Sequence, residues 1–178
     1  MTIVWFTLAI LLVLFGVPSL IGLMLPERFL GSAEVEYDKT PDEVWLALLD
    51  YTRAPMTGRM MKATVALPGE DGLPAWEESM GHGEIITVRT TVSEKPTRMV
   101  RTMESAASPM TSTWTYALEP VDGGCRLRME GETLIPLGDW KSPIFRFMMQ
   151  VAGGVKKGLV IQMDMAARTL GVDARHAS

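Results

Sequence analysis

Ser32-Ala33-Glu34-Val35-Glu36-Tyr37-Asp38-Lys39-Thr40-Pro41-Asp42-Glu43-Val44-Trp45 is the stretch that decides the fold. Its first six residues alternate. Ala33, Val35 and Tyr37 fall on one face and Glu34 and Glu36 on the other, the period-two pattern of a half-buried strand. Thr40 to Glu43 then opens a helix: Thr40 caps it, Pro41 suits the first helical position, and Glu43 completes a capping box. Val44, Trp45, Leu48 and Leu49 supply its apolar face. A short strand feeding directly into a capped helix is the first clue to an α+β domain.

Downstream, Asp50 to Met61 reads as a second short helix or an irregular segment, broken near Pro55 and Gly58. Strand patterns then follow one another. Ala63 to Leu67 is closed by the turn-rich Pro68-Gly69-Glu70-Asp71-Gly72. Ala75 to Met80 follows, then Glu84 to Ser93 with Ile86, Val88 and Val92 on one face. Lys95-Pro96 breaks the pattern and Thr97 to Glu104 resumes it. Ser112 to Leu118 carries Trp114 and Tyr116 on one face. Asp122-Gly123-Gly124 is a hairpin signal, and Cys125 to Ile135 is the partner strand, with Cys125, Leu127 and Met129 sharing a face. The pattern is that of an antiparallel meander.

A long helix ends the chain. Ser142-Pro143 starts it, and apolar residues recur from Ile144 through Phe147, Met148, Val151, Val155, Leu159, Met163 and Ala166 to Leu170 at helical period. Gly153-Gly154 and Gly158 interrupt this pattern at a cost of about 1 kcal/mol each against alanine. They mark a kink, close packing on the sheet, or room for a ligand beneath the helix.

Three motifs in this order carry a family resemblance: Val35-Glu36-Tyr37 running into Thr40-Pro41-Asp42-Glu43-Val44-Trp45; Ser112-Thr113-Trp114-Thr115-Tyr116-Ala117-Leu118-Glu119-Pro120 with the Gly123-Gly124 turn and Cys125-Arg126-Leu127; and Ser142-Pro143-Ile144-Phe145-Arg146-Phe147. Residues 32–171 thereby resemble the START-like, or SRPBCC, helix-grip superfamily of polyketide cyclase/dehydrase-like proteins and lipid carriers. The resemblance implies a helix-grip fold, a curved antiparallel sheet wrapped around the long C-terminal helix. It also implies a deep, mostly apolar cavity for a hydrophobic small molecule. Fold alone does not establish function.

Upstream lies a different kind of sequence. Thr2 to Pro26 carries no charged side chain and is dominated by Ile, Leu, Val, Phe and Met; Glu27 and Arg28 end the run. About 20 apolar residues suffice for a helix to cross a bilayer, so residues 1–26 are expected to form one transmembrane helix. Residues 27–31 would be a short linker and residues 172–178 a flexible tail. A signal peptide cleaved at Gly31-Ser32-Ala33 and a buried core helix are the competing readings. On the spanning reading the protein is a single-pass membrane protein. Arg28 and Lys39 beside the run favour the cytoplasmic side for the domain.

Composition narrows the chemistry. The net charge is −4, and no basic tract offers a footprint for nucleic acid. A single cysteine, Cys125, excludes an intrachain disulfide, and two histidines, His82 and His176, leave little for a zinc site. No metal or cofactor is expected, because the chain has no phosphate loop, metal triad or cofactor fingerprint.

The candidate residues lie on the meander and the last helix. Arg101 sits between Met99 and Met103. If that face points inward, the guanidinium pairs with Glu78 or Glu104 or holds an anionic head group; if not, it is solvated with Val100 inside. Trp76, Trp114 and Tyr116 fall on faces suited to core packing or to cavity lining, and Glu78, which shares a face with Trp76, is either a solvated strand residue or part of the same lining. Among 14 methionines, Met99, Met103 and Met148 suit an adaptable apolar pocket. Arg146, Lys156 and Lys157 form either a solvated helix face or a thin basic patch for anionic lipid. Catalytic residues are unassigned, since no nucleophile–base arrangement stands out. The expected function is a membrane-anchored binding protein for a lipid or other hydrophobic molecule. The alternatives are a cyclase/dehydrase-like enzyme using His82, Arg101, Glu78 and Tyr116, and a non-catalytic accessory protein of the membrane.

Overall fold

The computed structural model describes residues 4–6, 12–50, 61–81 and 83–176. His82 and most of the segment expected to follow Asp50 fall outside them. The elements, in chain order, are α1 (Val17–Met24), β1 (Arg28–Tyr37), α2 (Pro41–Leu49), β2 (Met61–Leu67), β3 (Ala75–Met80), β4 (Ile85–Glu94), β5 (Arg98–Glu104), β6 (Thr111–Val121), β7 (Gly124–Leu134), α3 (Ser142–Val151), α4 (Gly154–Leu170) and β8 (Arg175–His176). The strands form one antiparallel sheet in the order β2-β3-β4-β5-β6-β7-β1-β8. The class is α+β, and a meander from β2 to β7 with the first strand added beside β7 is the sheet of a helix-grip fold.

The opening stretch folds as its pattern dictates. β1 begins at Arg28, four residues before the alternation becomes visible, because Arg28 to Gly31 continue the ladder with β7. At α2, Thr40 Oγ1 accepts from the Glu43 amide, and the Thr40 amide donates to Glu43 Oε2 at 2.9 Å. Val44, Trp45 and Leu48 are buried beneath α2. They meet Val35, Tyr37, Leu127 and Met129 of the sheet and Leu159 and Met163 of α4 in one core. Tyr37 donates its hydroxyl to the Met163 carbonyl at 2.8 Å, and burial raises that phenol far above its usual range.

The last helix is two helices. Gly153 and Gly154 adopt positive φ, 94° and 63°, a region that only glycine enters freely, and this breaks the expected single helix into α3 and α4. α4 then lies directly on β1 and β7. Gly31 and Gly131 face each other across these strands. A Cβ at Gly31 would stand 2.7 Å from the Lys156 nitrogen, and one at Gly131 would stand 2.5 Å from Val155 Cγ1. This close approach pins one side of α4 to the sheet, while β3 to β6 continue beyond it.

The N-terminal run corrects the sequence reading. A π-helical turn at Leu12–Gly16 gives way to α1, which carries Pro18 in its first turn. Together the five π-helical and eight α-helical residues reach less than about 20 Å, against a hydrocarbon core of about 30 Å. Among the described residues no helix is long and apolar enough to cross a membrane. That overturns the expected transmembrane helix over residues 1–26, and with it the single-pass membrane placement and the preference for its cytoplasmic side. The physical reason is that α1 docks on the domain. Gly22 lies so close to α3 that a Cβ there would stand 1.7 Å from the Pro143 carbonyl oxygen. Arg146, expected on a solvated or lipid-facing surface, is instead 1% exposed and ties this corner together. Its Nε donates to the Ile135 carbonyl at 2.9 Å, Nη1 to the Leu25 carbonyl at 3.1 Å and Nη2 to Glu27 Oε1 at 2.9 Å. At the other end, Arg175 and His176, expected in a flexible tail, pair with β1 as β8. An ion pair of Arg175 with Asp38 and a hydrogen-bond contact of His176 Nε2 with Asp164 Oδ1 at 2.8 Å accompany this pairing.

Candidate functional site

Where α4 leaves the sheet, the inner faces of β3 to β6 and the first turns of α4 enclose a cavity of about 270 Å³. This lies near the lower edge of the range of about 300–1,000 Å³ usual for small-molecule pockets. Pleat alternation decides which side chains line it. Trp76 and Glu78 come from β3, Ile86 and Val88 from β4, Arg101 and Met103 from β5, and Ser112, Trp114 and Tyr116 from β6. The β4 face continues through Thr90 rather than Val92, because the register with β5 shifts between these two residues. The roof is Met149 of α3 with Gly154, Val155, Gly158, Ile161 and Gln162 of α4.

Of the residues singled out by the sequence, Trp76, Glu78, Arg101, Met103, Trp114 and Tyr116 line this one cavity. Two methionines are corrected. Met99 is fully buried in the packed core, and Met148 is 54% exposed on α3; neither lines the cavity. Thr133, Gln162 and Gly158 were not on the candidate list. The internal glycine at Gly158 was the visible signal. A Cβ there would rest 3.4 Å from Trp114 Cζ2, so the bare backbone leaves the indole uncovered.

Arg101 is the charged centre of the floor, and it is 2% exposed. Its Nη2 donates to the Leu48 carbonyl at 2.8 Å. That carbonyl belongs to the last turn of α2, where intrahelical partners run out and the helix dipole favours a cation. The guanidinium carbon lies 4.8 Å from the centre of the Trp76 ring and 5.2 Å from that of Tyr116, within the range of cation–π attraction. Neither expected pairing, with Glu78 or with Glu104, occurs as an ion pair among the described residues; Arg101 bonds the Leu48 carbonyl instead, and its charge acts on Glu78.

Glu78 is the second polar group. Its Oε1 accepts from Trp76 Nε1 at 2.9 Å. Burial raises the Glu78 carboxyl above its usual range, and the Trp76 hydrogen bond and the Arg101 charge partly offset that. Tyr116 is raised by burial as well, with Arg101 acting in the opposite direction. Ser112 and Thr133 hydroxyls bond each other at 2.9 Å. Arg101 Nε, Trp114 Nε1, Ser108 Oγ and, further along β4, Thr90 Oγ1 are buried without a hydrogen-bond partner among the described residues. The chemistry on offer is an apolar, aromatic slot with one carboxyl, one partly satisfied cation and a few hydroxyls. Among the described residues no group of three His, Cys, Asp or Glu side chains is arranged to hold a metal ion.

The fold has many counterparts among solved structures. A conserved protein from Geobacillus kaustophilus aligns with TM-score 0.64 at 17% identity, over 84% of this chain and 99% of its own. Ara h 8.0201 aligns with TM-score 0.59 at 12% identity, over 81% and 99%. The di-domain ARO/CYC BexL from the BE-7585A biosynthetic pathway aligns with TM-score 0.61 at 13% identity, over 83% of this chain and 52% of its own. At these identities the likeness is one of fold alone. No curated protein sequence matches the chain. The profile of the family described as polyketide cyclase / dehydrase and lipid transport matches residues 30–169. With the helix-grip sheet and its cavity, that match makes this chain a member of the polyketide cyclase/dehydrase and lipid transport family.

Proposed function

We propose that this protein binds a hydrophobic small molecule in the cavity between β3–β6 and α4. The observation that carries the reading is the cavity itself. About 270 Å³ is left open beneath a helix whose roof position is glycine, and the floor is lined by Trp76, Trp114, Tyr116 and Met103. A scaffold without a ligand would gain stability by filling that space, since interiors otherwise pack closely. Family membership and the helix-grip neighbours support the same reading. The size suits a compact molecule of two or three fused rings or a short chain.

The test is native mass spectrometry of freshly purified protein, followed by titration of the stripped protein with the uncharged fluorophore aminoanthracene. Co-purified apolar ligand and saturable binding of one probe per chain are expected. A protein that carries nothing and binds no apolar probe would sink the reading.

A cyclase-like activity is the second reading. It is favoured by Glu78, Arg101 and Tyr116 lining one cavity around Trp76. The ARO/CYC label of BexL gives it context. A co-purified ligand recovered in altered covalent form after incubation would move the account toward it.

A further inference from the structure

A buried arginine in an apolar cavity invites the idea of a receptor for carboxylates, and Arg101 Nε is buried without a hydrogen-bond partner among the described residues, but the rest of the guanidinium is already engaged. One nitrogen is bonded to the Leu48 carbonyl, and the guanidinium lies over two aromatic rings. Its charge also acts on Glu78, a carboxyl in the same lining. Glu78 is differently placed. It is half-buried in the cavity wall, and the hydrogen bond from Trp76 occupies one of its two oxygens. A carboxylate has about four acceptor sites, so most of its capacity is left.

We propose that the cavity takes an apolar molecule bearing a hydroxyl or amine that donates to Glu78, and that it excludes apolar carboxylates. The inference rests on the cavity being a binding site and goes further by naming the polar group of the ligand. A carboxylate brought beside Glu78 would set two like charges in a confined apolar space, where their repulsion is poorly screened. A neutral donor has no such cost and gains a charge-assisted hydrogen bond.

Three probes of one shape test it: naphthalenemethanol, methylnaphthalene and naphthoate, substituted at the same ring position and titrated at mildly alkaline pH. The wild-type protein is expected to bind the alcohol roughly tenfold more tightly than the hydrocarbon, as one hydrogen bond to a charged acceptor allows. Naphthoate is expected to bind most weakly. In Glu78→Leu the alcohol and the hydrocarbon should bind within about twofold of each other, and in Glu78→Gln naphthoate should recover. Naphthoate binding most tightly would overturn the inference and give Arg101 the anion. Equal binding of alcohol and hydrocarbon to the wild type would also overturn it, while leaving the cavity as a binding site. Failure of all three to bind would remove the binding reading and this inference together.

Discussion

Replacing Gly158 by leucine fills the cavity from its roof. The position lies inside α4, it lines the cavity, and a Cβ there makes ordinary contact with Trp114 at 3.4 Å. Two effects follow with opposite consequences. Glycine in a helix interior costs about 1 kcal/mol relative to alanine, and leucine ranks close to alanine. Burying the new side chain against Trp114 adds part of the roughly 1.5–3 kcal/mol of a fully buried leucine. The empty protein should therefore be stabilised by about 1–2 kcal/mol, and each kcal/mol raises Tm by about 2–4 °C in a chain of this size. Binding should move the other way. Displacing about 80 Å² of apolar contact removes about 2 kcal/mol, or roughly 30-fold in affinity. Gly158→Ala is the control: most of the stability gain with little loss of binding. Thermal unfolding without ligand and aminoanthracene titration measure both effects. Unchanged affinity in Gly158→Leu, or a lowered Tm with Gly158→Ala neutral, would refute the reasoning by showing that the roof is packed rather than open.

Arg146→Met should destabilise the domain by about 2–4 kcal/mol in denaturant unfolding. The buried Ile135 carbonyl and the partly buried Leu25 carbonyl lose their donor, and an orphaned buried group costs about 1–3 kcal/mol; a loss under about 1 kcal/mol would show that the corner is not held by Arg146. Because burial raises the Glu78 carboxyl, the folded chain keeps that proton to higher pH than the unfolded chain does. Its contribution to stability therefore falls as pH rises from the unfolded to the folded titration range. Glu78→Gln should accordingly gain stability relative to wild type as pH rises through and just above the ordinary carboxylate range, and a pH-independent difference in urea midpoints would contradict the cause given. Burial pushes the Cys125 thiol up to about 11, so thiolate is scarce at neutral pH. A disulfide reagent should label Cys125 only as fast as the protein unfolds; rapid labelling of the native protein would show that this edge of the core opens.

Much of the fold was legible because it is written in local rules. The capping box at Thr40–Glu43 and the alternation through Trp114 and Tyr116 are short-range signals, and each appears where it was read. Arg101 was harder, since Val100 offers a competing apolar face. What turns Arg101 inward is the Leu48 carbonyl, 53 residues away in sequence. The errors share that origin. The apolar run ahead of Glu27 has the composition of a spanning helix, yet its last turns pack against α3, with Gly22 close to Pro143. Arg146 looked solvated until Leu25, Glu27 and Ile135 gathered around it. Met148 was read on the helical period of one continuous helix, whereas it lies exposed on α3, which ends before the Gly153-Gly154 break.

The five tryptophans provide the most direct test of the cavity as the binding site. Trp76 and Trp114 line it, Trp45 is buried in the neighbouring core at 1% exposure, and Trp5 and Trp140 are exposed at 67% and 87%. Their indole N–H resonances in a two-dimensional nitrogen–proton NMR spectrum report on each position separately. On titration with an uncharged apolar ligand, the account predicts that the Trp76 and Trp114 signals shift and saturate together while those of Trp45, Trp5 and Trp140 stay in place. Shifts confined to Trp5 or Trp140, with Trp76 and Trp114 unmoved, would place binding on the outer surface and contradict it.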